Sequence, residues 1–290
     1  MPQNNTPDLW IHNFPQPDEN SHKYKRGSSV IFGAPSLTGS SRLSASACSR
    51  LCGAVTVCAP QGTGDIYRTS LPPQIMVRDF QGDIPEYYFS DKRVKSVIAG
   101  SGGGYGDEFL RNIAYRAWEQ KHLNGLVLDA EGFKAWRGDL IEGFSAFVNI
   151  PTIVTPHEGE FEYVFGAASE RHQDIMQGEP IERAQKAAEF LNAIVVLKGH
   201  ETIIAMAGRD PVVNKNASPY LATAGSGDVL SGMIGGLLAA GMLPFDAACA
   251  AVWIHGETSK ICGPGMVASD ISEKIPKVLK EMLGIEKKVG

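Results

Sequence analysis

Between Val229 and Ala240 runs an apolar, glycine-punctuated stretch in which Val229, Met233, Leu237 and Ala240 recur at helical spacing. A helix with so little polar surface has to be enclosed by other elements. Just before it stands a small-residue turn, Ala224-Gly225-Ser226-Gly227, followed by Asp228. Glycines at 225 and 227 let the backbone turn tightly and come close to a ligand. The first N–H groups of a helix have no partner within it, and with the positive end of the helix dipole they attract phosphate. Asp228 has two readings there. It is an ordinary cap that neutralises the dipole, or a general base that takes the proton of a hydroxyl attacking a phosphoryl group on the same amides.

The rest of the chain has to supply the enclosure. With 290 residues, 43% hydrophobic and 20% charged, one large α/β domain can bury such a helix. A net charge of -5 gives no basic footprint for nucleic acid, so small anions have to be held by local amides and a few cations. The five cysteines, Cys48, Cys52, Cys58, Cys249 and Cys262, are odd in number, lack a CxxC pair and read as reduced thiols of a cytoplasmic protein. No apolar run reaches the roughly 18 residues of a membrane span, and no basic start followed by an apolar run marks a secretory leader.

Residues 1–26 are polar and rich in Pro and Asn, and read as a flexible or loosely docked lead-in to a domain over 27–290. Short apolar runs at 29–33, 54–58, 94–99, 125–130, 152–154 and 194–197 read as buried strands, and 203–205 starts a hairpin. Helices are expected over 44–51, 107–121, 182–191, 245–262 and 269–283, with Ser269 capping the last. The stretch 62–81, with Pro72-Pro73, reads as irregular. Strands alternating with helices predict a doubly wound, mostly parallel sheet covered on both faces. The strand-to-helix loops carry the polar residues: a glycine run at 100–106, Asp129, His157 and the Lys198-Gly199 turn. That is the sheet edge on which ligands bind.

Taken in order, TGSS, GSGGG, LVLDA, TPHEGEF, VVLKGHETIIA, ATAGSGDVLSGMIGGLLAAG and VWIHG make the chain resemble the ADP/ATP-dependent NAD(P)H-hydrate dehydratases of the ribokinase-like superfamily, over roughly 27–283. The resemblance implies a hydro-lyase that repairs hydrated NADH or NADPH, with Mg²⁺ and with ADP, slightly favoured, or ATP as phosphoryl donor. Carried over by position, Asp228 is the base and the amides of Gly225, Ser226 and Gly227 form the anion hole. Lys198, Gly199, His200, Glu201 and Thr202, with Gly227, line the nucleotide. Ser40, Gly104, His157 and Asp228 contact the hydrated dinucleotide, and Asp129 and Glu160 stand in the outer shell of Mg²⁺. The resemblance further implies a homo-oligomer, a tetramer among its forms, and a separate NAD(P)H-hydrate epimerase acting alongside.

Several positions depart from the family's usual pattern. Ala224 and Ser226 stand in an anion turn usually written GGTGD, Ser40 replaces the alanine of TGA, and GPGLG becomes Gly100-Ser101-Gly102-Gly103-Gly104. His200 and Glu201 replace small residues of KGAGT. Two other readings use the same residues: a kinase of the superfamily acting on a vitamin-precursor alcohol, and a catalytically silent nucleotide-binding homologue.

Overall fold

In the central strands most residues are apolar because both faces are covered. Leu126 and Leu128 point into one core while Val127 points into the other, and Val97 and Ala99 alternate in the same way with Ile98. The computed structural model describes residues 2–138, 144, 149–168 and 170–285. The elements follow in the order β1 (Gln3–Asn4), β2 (Ser28–Phe32), α1 (Thr38–Cys48), β3 (Ala54–Pro60), α2 (Gly64–Ser70), β4 (Met76–Phe80), α3 (Tyr87–Ser90), β5 (Val94–Ala99), α4 (Asp107–Trp118), β6 (Gly125–Leu128) and α5 (Glu131–Lys134). After them come β7 (Thr152–Val154), α6 (Glu158–Phe165), α7 (Pro180–Leu191), β8 (Ile194–Leu197), β9 (Thr202–Ala205), β10 (Val212–Asn214), α8 (Ser226–Ala239), α9 (Pro244–Cys262) and α10 (Ala268–Met282). One sheet collects the strands in the order β1-β10-β9-β8-β7-β6-β5-β2-β3-β4.

From β8 to β4 neighbouring strands are parallel, whereas β9 runs antiparallel to both β8 and β10. The parallel part is the doubly wound sheet expected from the alternation of strands and helices. The winding reverses between β2 and β5, and at such a point the loops diverge and leave a crevice at the carboxyl edge. Among the described residues no helix is long and apolar enough to cross a membrane.

α8 lies where its composition requires, with Val229, Leu230, Met233, Ile234, Leu237 and Leu238 all buried. Its glycines are contact points. A Cβ added at Gly232 would lie 2.1 Å from the Ser44 carbonyl oxygen of α1, so the two helices meet backbone to backbone.

Three expectations need correction. α1 begins at Thr38 rather than at residue 44, so the TGSS segment is its first turn, and the Ala34 N–H donates to Ser41 Oγ at 2.8 Å, tying the preceding loop to that turn. The stretch 62–81 holds α2 and β4; β4 is the edge strand, so Met76, Arg78 and Asp79 are exposed and give no apolar signal. Ser269 lies inside α10, whose start is closed by Asp270 Oδ2 accepting from the Val267 N–H at 2.9 Å.

The lead-in is docked through its first half. Gln3 and Asn4 pair with β10, and Trp10 is fully buried with its ring 5.8 Å from that of Trp253. Asn5 is buried too: its Nδ2 donates to Asn214 Oδ1 at 2.9 Å and to the Cys249 carbonyl at 2.8 Å, and its Oδ1 accepts from Trp10 Nε1 at 3.1 Å. The polar average of the segment hides the two aromatic residues, Trp10 and Phe14, that anchor it.

Candidate active site

The carboxyl ends of β5, β6, β7 and β8 bring together residues far apart in the chain. After β5 the backbone enters Gly100 at φ +109°, where an added Cβ would lie 2.1 Å from the Asp129 carbonyl oxygen. Glycine is required by that approach, and it lets the β5 and β6 loops close on one another. Ala130, next to Asp129, takes φ +47°, a left-handed conformation costly for a residue with a Cβ.

Asp129 is buried at the end of β6 and its oxygens are fully engaged. Oδ1 accepts from Thr155 Oγ1 at 2.7 Å and from Lys198 Nζ at 3.2 Å, and Oδ2 accepts from Ser101 Oγ at 3.1 Å. Lys198, at the end of β8, also lies 3.9 Å from Glu160 Oε2. Burial pulls its ammonium down, but the charges of Asp129 and Glu160 outweigh that and hold it above the usual lysine value. Lys198 is therefore a fixed cation between two carboxylates.

Glu160 and His157 close the start of α6 together. The His157 N–H donates to Glu160 Oε2 at 2.9 Å, and the Glu160 N–H donates to His157 Nδ1 at 3.2 Å. Accepting at Nδ1 leaves the ring proton of neutral His157 on Nε2. The ring is largely exposed on the site's rim.

Opposite these groups α8 begins. Gly225 takes φ +89°, and a Cβ there would lie 2.4 Å from Leu43 Cδ1, so the turn fits only glycine. The Ser226 N–H turns back to the Thr223 carbonyl at 3.3 Å, and Gly227 and Asp228 follow in the helix's first turn. A Cβ on Gly227 would lie 3.2 Å from Lys198 Nζ, which places the ammonium against the turn. Burial pushes the Asp228 carboxyl up to about 6, and the charge of Asp129 adds to this. Hydrogen bonds from Ser40 and Ser101, and the charge of Lys198, act in the other direction. A carboxylate that holds a proton weakly more basic than usual, at the head of a helix, suits proton abstraction next to an anion.

The structure thus gathers Ser40, Asp129, Glu160, Lys198, Gly227 and Asp228 at one edge. Gly104, at φ +94°, belongs to the β5 loop, where a Cβ would lie 2.3 Å from Ser36 Oγ of the β2 loop. His200 and Glu201 sit with Gly199 in the exposed turn between β8 and β9, with Glu201 paired to Lys215 at 3.1 Å. Ser101 and Thr155 were not singled out from sequence, because only the fold turns their hydroxyls toward Asp129. His255, in the VWIHG stretch, is buried and pushed down to about 4 by that burial, against a hydrogen bond to the Ser226 backbone. It stands neutral behind the turn.

The donor set suits a metal at one remove. Asp129, Glu160 and Asp228 carry three negative charges against one ammonium, an excess that a polyphosphate would add to and a divalent cation would offset. Both oxygens of Asp129 and the Oε2 of Glu160 already accept protein hydrogen bonds. Among the described residues no group of three His, Cys, Asp or Glu side chains is placed to hold a metal ion.

A family model described as NAD(P)H-hydrate dehydratase matches residues 28–277. Over 269 residues the chain is 31% identical to an ADP-dependent (S)-NAD(P)H-hydrate dehydratase of Neisseria meningitidis, covering 90% of this chain and 88% of that protein. It is 30% identical to a bifunctional NAD(P)H-hydrate repair enzyme of Salinibacter ruber, covering 93% of this chain and 51% of that one, so it spans about half the bifunctional relative. Among solved structures, an ADP/ATP-dependent NAD(P)H-hydrate dehydratase from Bacillus subtilis, co-crystallised with ATP and Mg²⁺, superposes with a TM-score of 0.78 at 22% identity. That match covers 97% of this chain and 98% of the other, and at such identity the likeness is one of fold.

Proposed function

The chain belongs to the NAD(P)H-hydrate dehydratase family, and from that membership we propose that it restores (6S)-NAD(P)H hydrate to NAD(P)H at the expense of ADP or ATP. Hydroxide leaves a ring carbon poorly and phosphate leaves it well, so phosphorylating the ring hydroxyl turns a slow dehydration into a fast elimination. Asp228 takes the hydroxyl proton. The oxygen's electron pair forms the new bond to the terminal phosphorus, and the bridging P–O bond breaks with its pair going to the departing nucleotide. Loss of phosphate and a proton from the ring then regenerates the reduced nicotinamide.

The observation that carries this reading is the position of Asp228, a desolvated carboxylate in the first turn of α8, with the Lys198 ammonium against the same turn. The first-turn amides and the turn formed by Gly225, Ser226 and Gly227 are the anion hole for the phosphoryl group. Lys198 to Thr202 border the nucleotide, while Ser40, Gly104 and His157 contact the hydrated dinucleotide. Mg²⁺, when bound, neutralises polyphosphate charge and orients the transferring group, and Asp129 and Glu160 hold its water shell. ADP stands ahead of ATP as donor, in keeping with the Neisseria relative's name. A separate NAD(P)H-hydrate epimerase supplies the complementary half of the repair.

The test is direct. Purified protein incubated with hydrated NADH, Mg²⁺ and either nucleotide is expected to return the reduced nicotinamide absorbance. Failure with both nucleotides, together with phosphate transfer to a small alcohol, would establish the superfamily kinase instead.

A further inference from the structure

At the amino edge of the sheet, the end of the strands away from Asp129 and Lys198, a cavity of about 380 Å³ opens between β2, β3, β4, β5 and α3. Its floor is one strand face. Val30 stands opposite Thr56 and Thr56 opposite Met76, with Ser28 and Arg78 two residues along from Val30 and Met76, so all five side chains leave the sheet on the same side. Ser28 and Thr56 are 5% and 8% exposed, and among the described residues neither hydroxyl has a hydrogen-bond partner. Neither oxygen is closed off by protein atoms, so both open onto the cavity. Tyr24 of the docked lead-in and Tyr87 and Tyr88 of α3 form the walls, the last two with ring centres 4.1 Å apart. The charges at the mouth do not cancel. Arg93 donates to Asp91 from Nε at 2.9 Å and from its terminal nitrogen at 2.6 Å, and lies over the Tyr24 ring, so that pair closes on itself. Among the described residues Arg78 meets no carboxylate, and its Cζ sits 5.7 Å from the centre of the Tyr87 ring.

We propose that this cavity is a second binding site, separate from the edge that holds Asp228, and that it takes a small aromatic carboxylate: the carboxylate on Arg78, the ring between the tyrosines and the strand floor, and a polar ring substituent on the hydroxyls of Ser28 and Thr56. One uncompensated cation calls for one negative charge, and the planar guanidinium fork matches a carboxylate. The walls and floor, with Val30, Met76 and Val94 beside the tyrosines, favour a flat apolar ring over a sugar or a bare anion. A hydroxyl both donates and accepts, so Ser28 and Thr56 recognise a substituent that does either. A ligand without one would strip water from both hydroxyls and return nothing, which is penalised. The volume falls within the roughly 300–1,000 Å³ of small-molecule sites. None of these residues enters the dehydratase reading, so the two stand or fall separately.

The probe is para-hydroxybenzoate, titrated calorimetrically into the full chain, with benzoate and para-hydroxybenzamide as comparisons that each lack one recognised group. Para-hydroxybenzoate is expected to saturate a single site per chain, and the neutral amide to bind about tenfold or more weakly for want of the charge. Benzoate is expected to fall short by about threefold to tenfold for want of the hydroxyl. Arg78→Gln is expected to weaken para-hydroxybenzoate by about tenfold or more. Thr56→Val keeps the side chain's shape and is expected to shrink the advantage of para-hydroxybenzoate over benzoate while leaving benzoate itself within about twofold. Thermal melts of both variants report that the fold is intact, and saturating ADP with Mg²⁺ is expected to leave the titration unchanged. Absence of saturable binding at millimolar probe, equal affinity in Arg78→Gln, or displacement of the probe by ADP overturns the proposal, the last by placing the probe at the opposite edge.

Discussion

At Asp228 the proposed function and stability pull against one another. Its folded-state value of about 6 lies above the ordinary aspartate value of 3.8 that applies to the unfolded chain, so the native state holds the proton more tightly. Stability therefore declines as pH rises from about 4 to about 6 and stays lower above that, by on the order of 3 kcal/mol. Asp228→Asn removes this burden. At neutral pH it is expected to melt above the unmodified protein while losing several orders of magnitude in kcat and retaining nucleotide affinity. A melting curve and a turnover assay on the same preparation decide it; near-normal turnover would remove Asp228 from the mechanism. On the proposed reading the ionised form is the working form, so the rate is expected to fall as pH drops through about 6, with an acid limb governed by one group. The position of this residue at the head of its helix was legible in the chain because the turn and the helix are contiguous. The ion pair between Asp129 and Lys198 was not, since those residues are 69 positions apart and meet only at the sheet edge.

Among the elements, α8 shows what a hydrophobic pattern carries and what it omits. Its lack of a polar face predicts burial, and it is buried. Which neighbour each glycine meets depends on chain far upstream. Gly232 faces the backbone of Ser44, with an added Cβ 2.1 Å from the carbonyl oxygen, whereas Gly235 faces the Ile98 side chain, with its Cδ1 2.2 Å from the added Cβ. A side-chain tip can rotate away and a helix backbone cannot. Gly232→Ala is accordingly expected to cost about 1–3 kcal/mol and Gly235→Ala less, as read from urea unfolding midpoints. Equal costs would mean that α1 shifts as freely as one side chain. The same logic explains the missed β4: an edge strand is covered on fewer sides, and its Met76, Arg78 and Asp79 carry no burial signal.

Across the whole molecule, the docked first residues join the far edge of the sheet to the helices behind the anion turn. Asn5 donates to Asn214 of β10, Asn214 Nδ2 donates to Asn216 Oδ1 at 2.6 Å, and Asn216 Nδ2 donates to the Trp253 carbonyl at 2.9 Å and to Glu257 Oε1 at 3.0 Å on α9. From Asn216 the chain runs through a short turn at Pro219–Leu221 to Gly225. Trp10 seals this network, with its indole N–H on Asn5 and its ring on Trp253 and Phe14. Trp10→Ala opens a cavity beside buried asparagines and is expected to cost about 3–5 kcal/mol. For a chain of this size that lowers the melting temperature by on the order of 10 °C. Removing residues 2–14 exposes Asn214 and the Cys249 carbonyl as well, and is expected to lower it further. A loose polar tail would predict no change in either case, so thermal melts of the two variants separate the docked segment from the tail that its composition suggests.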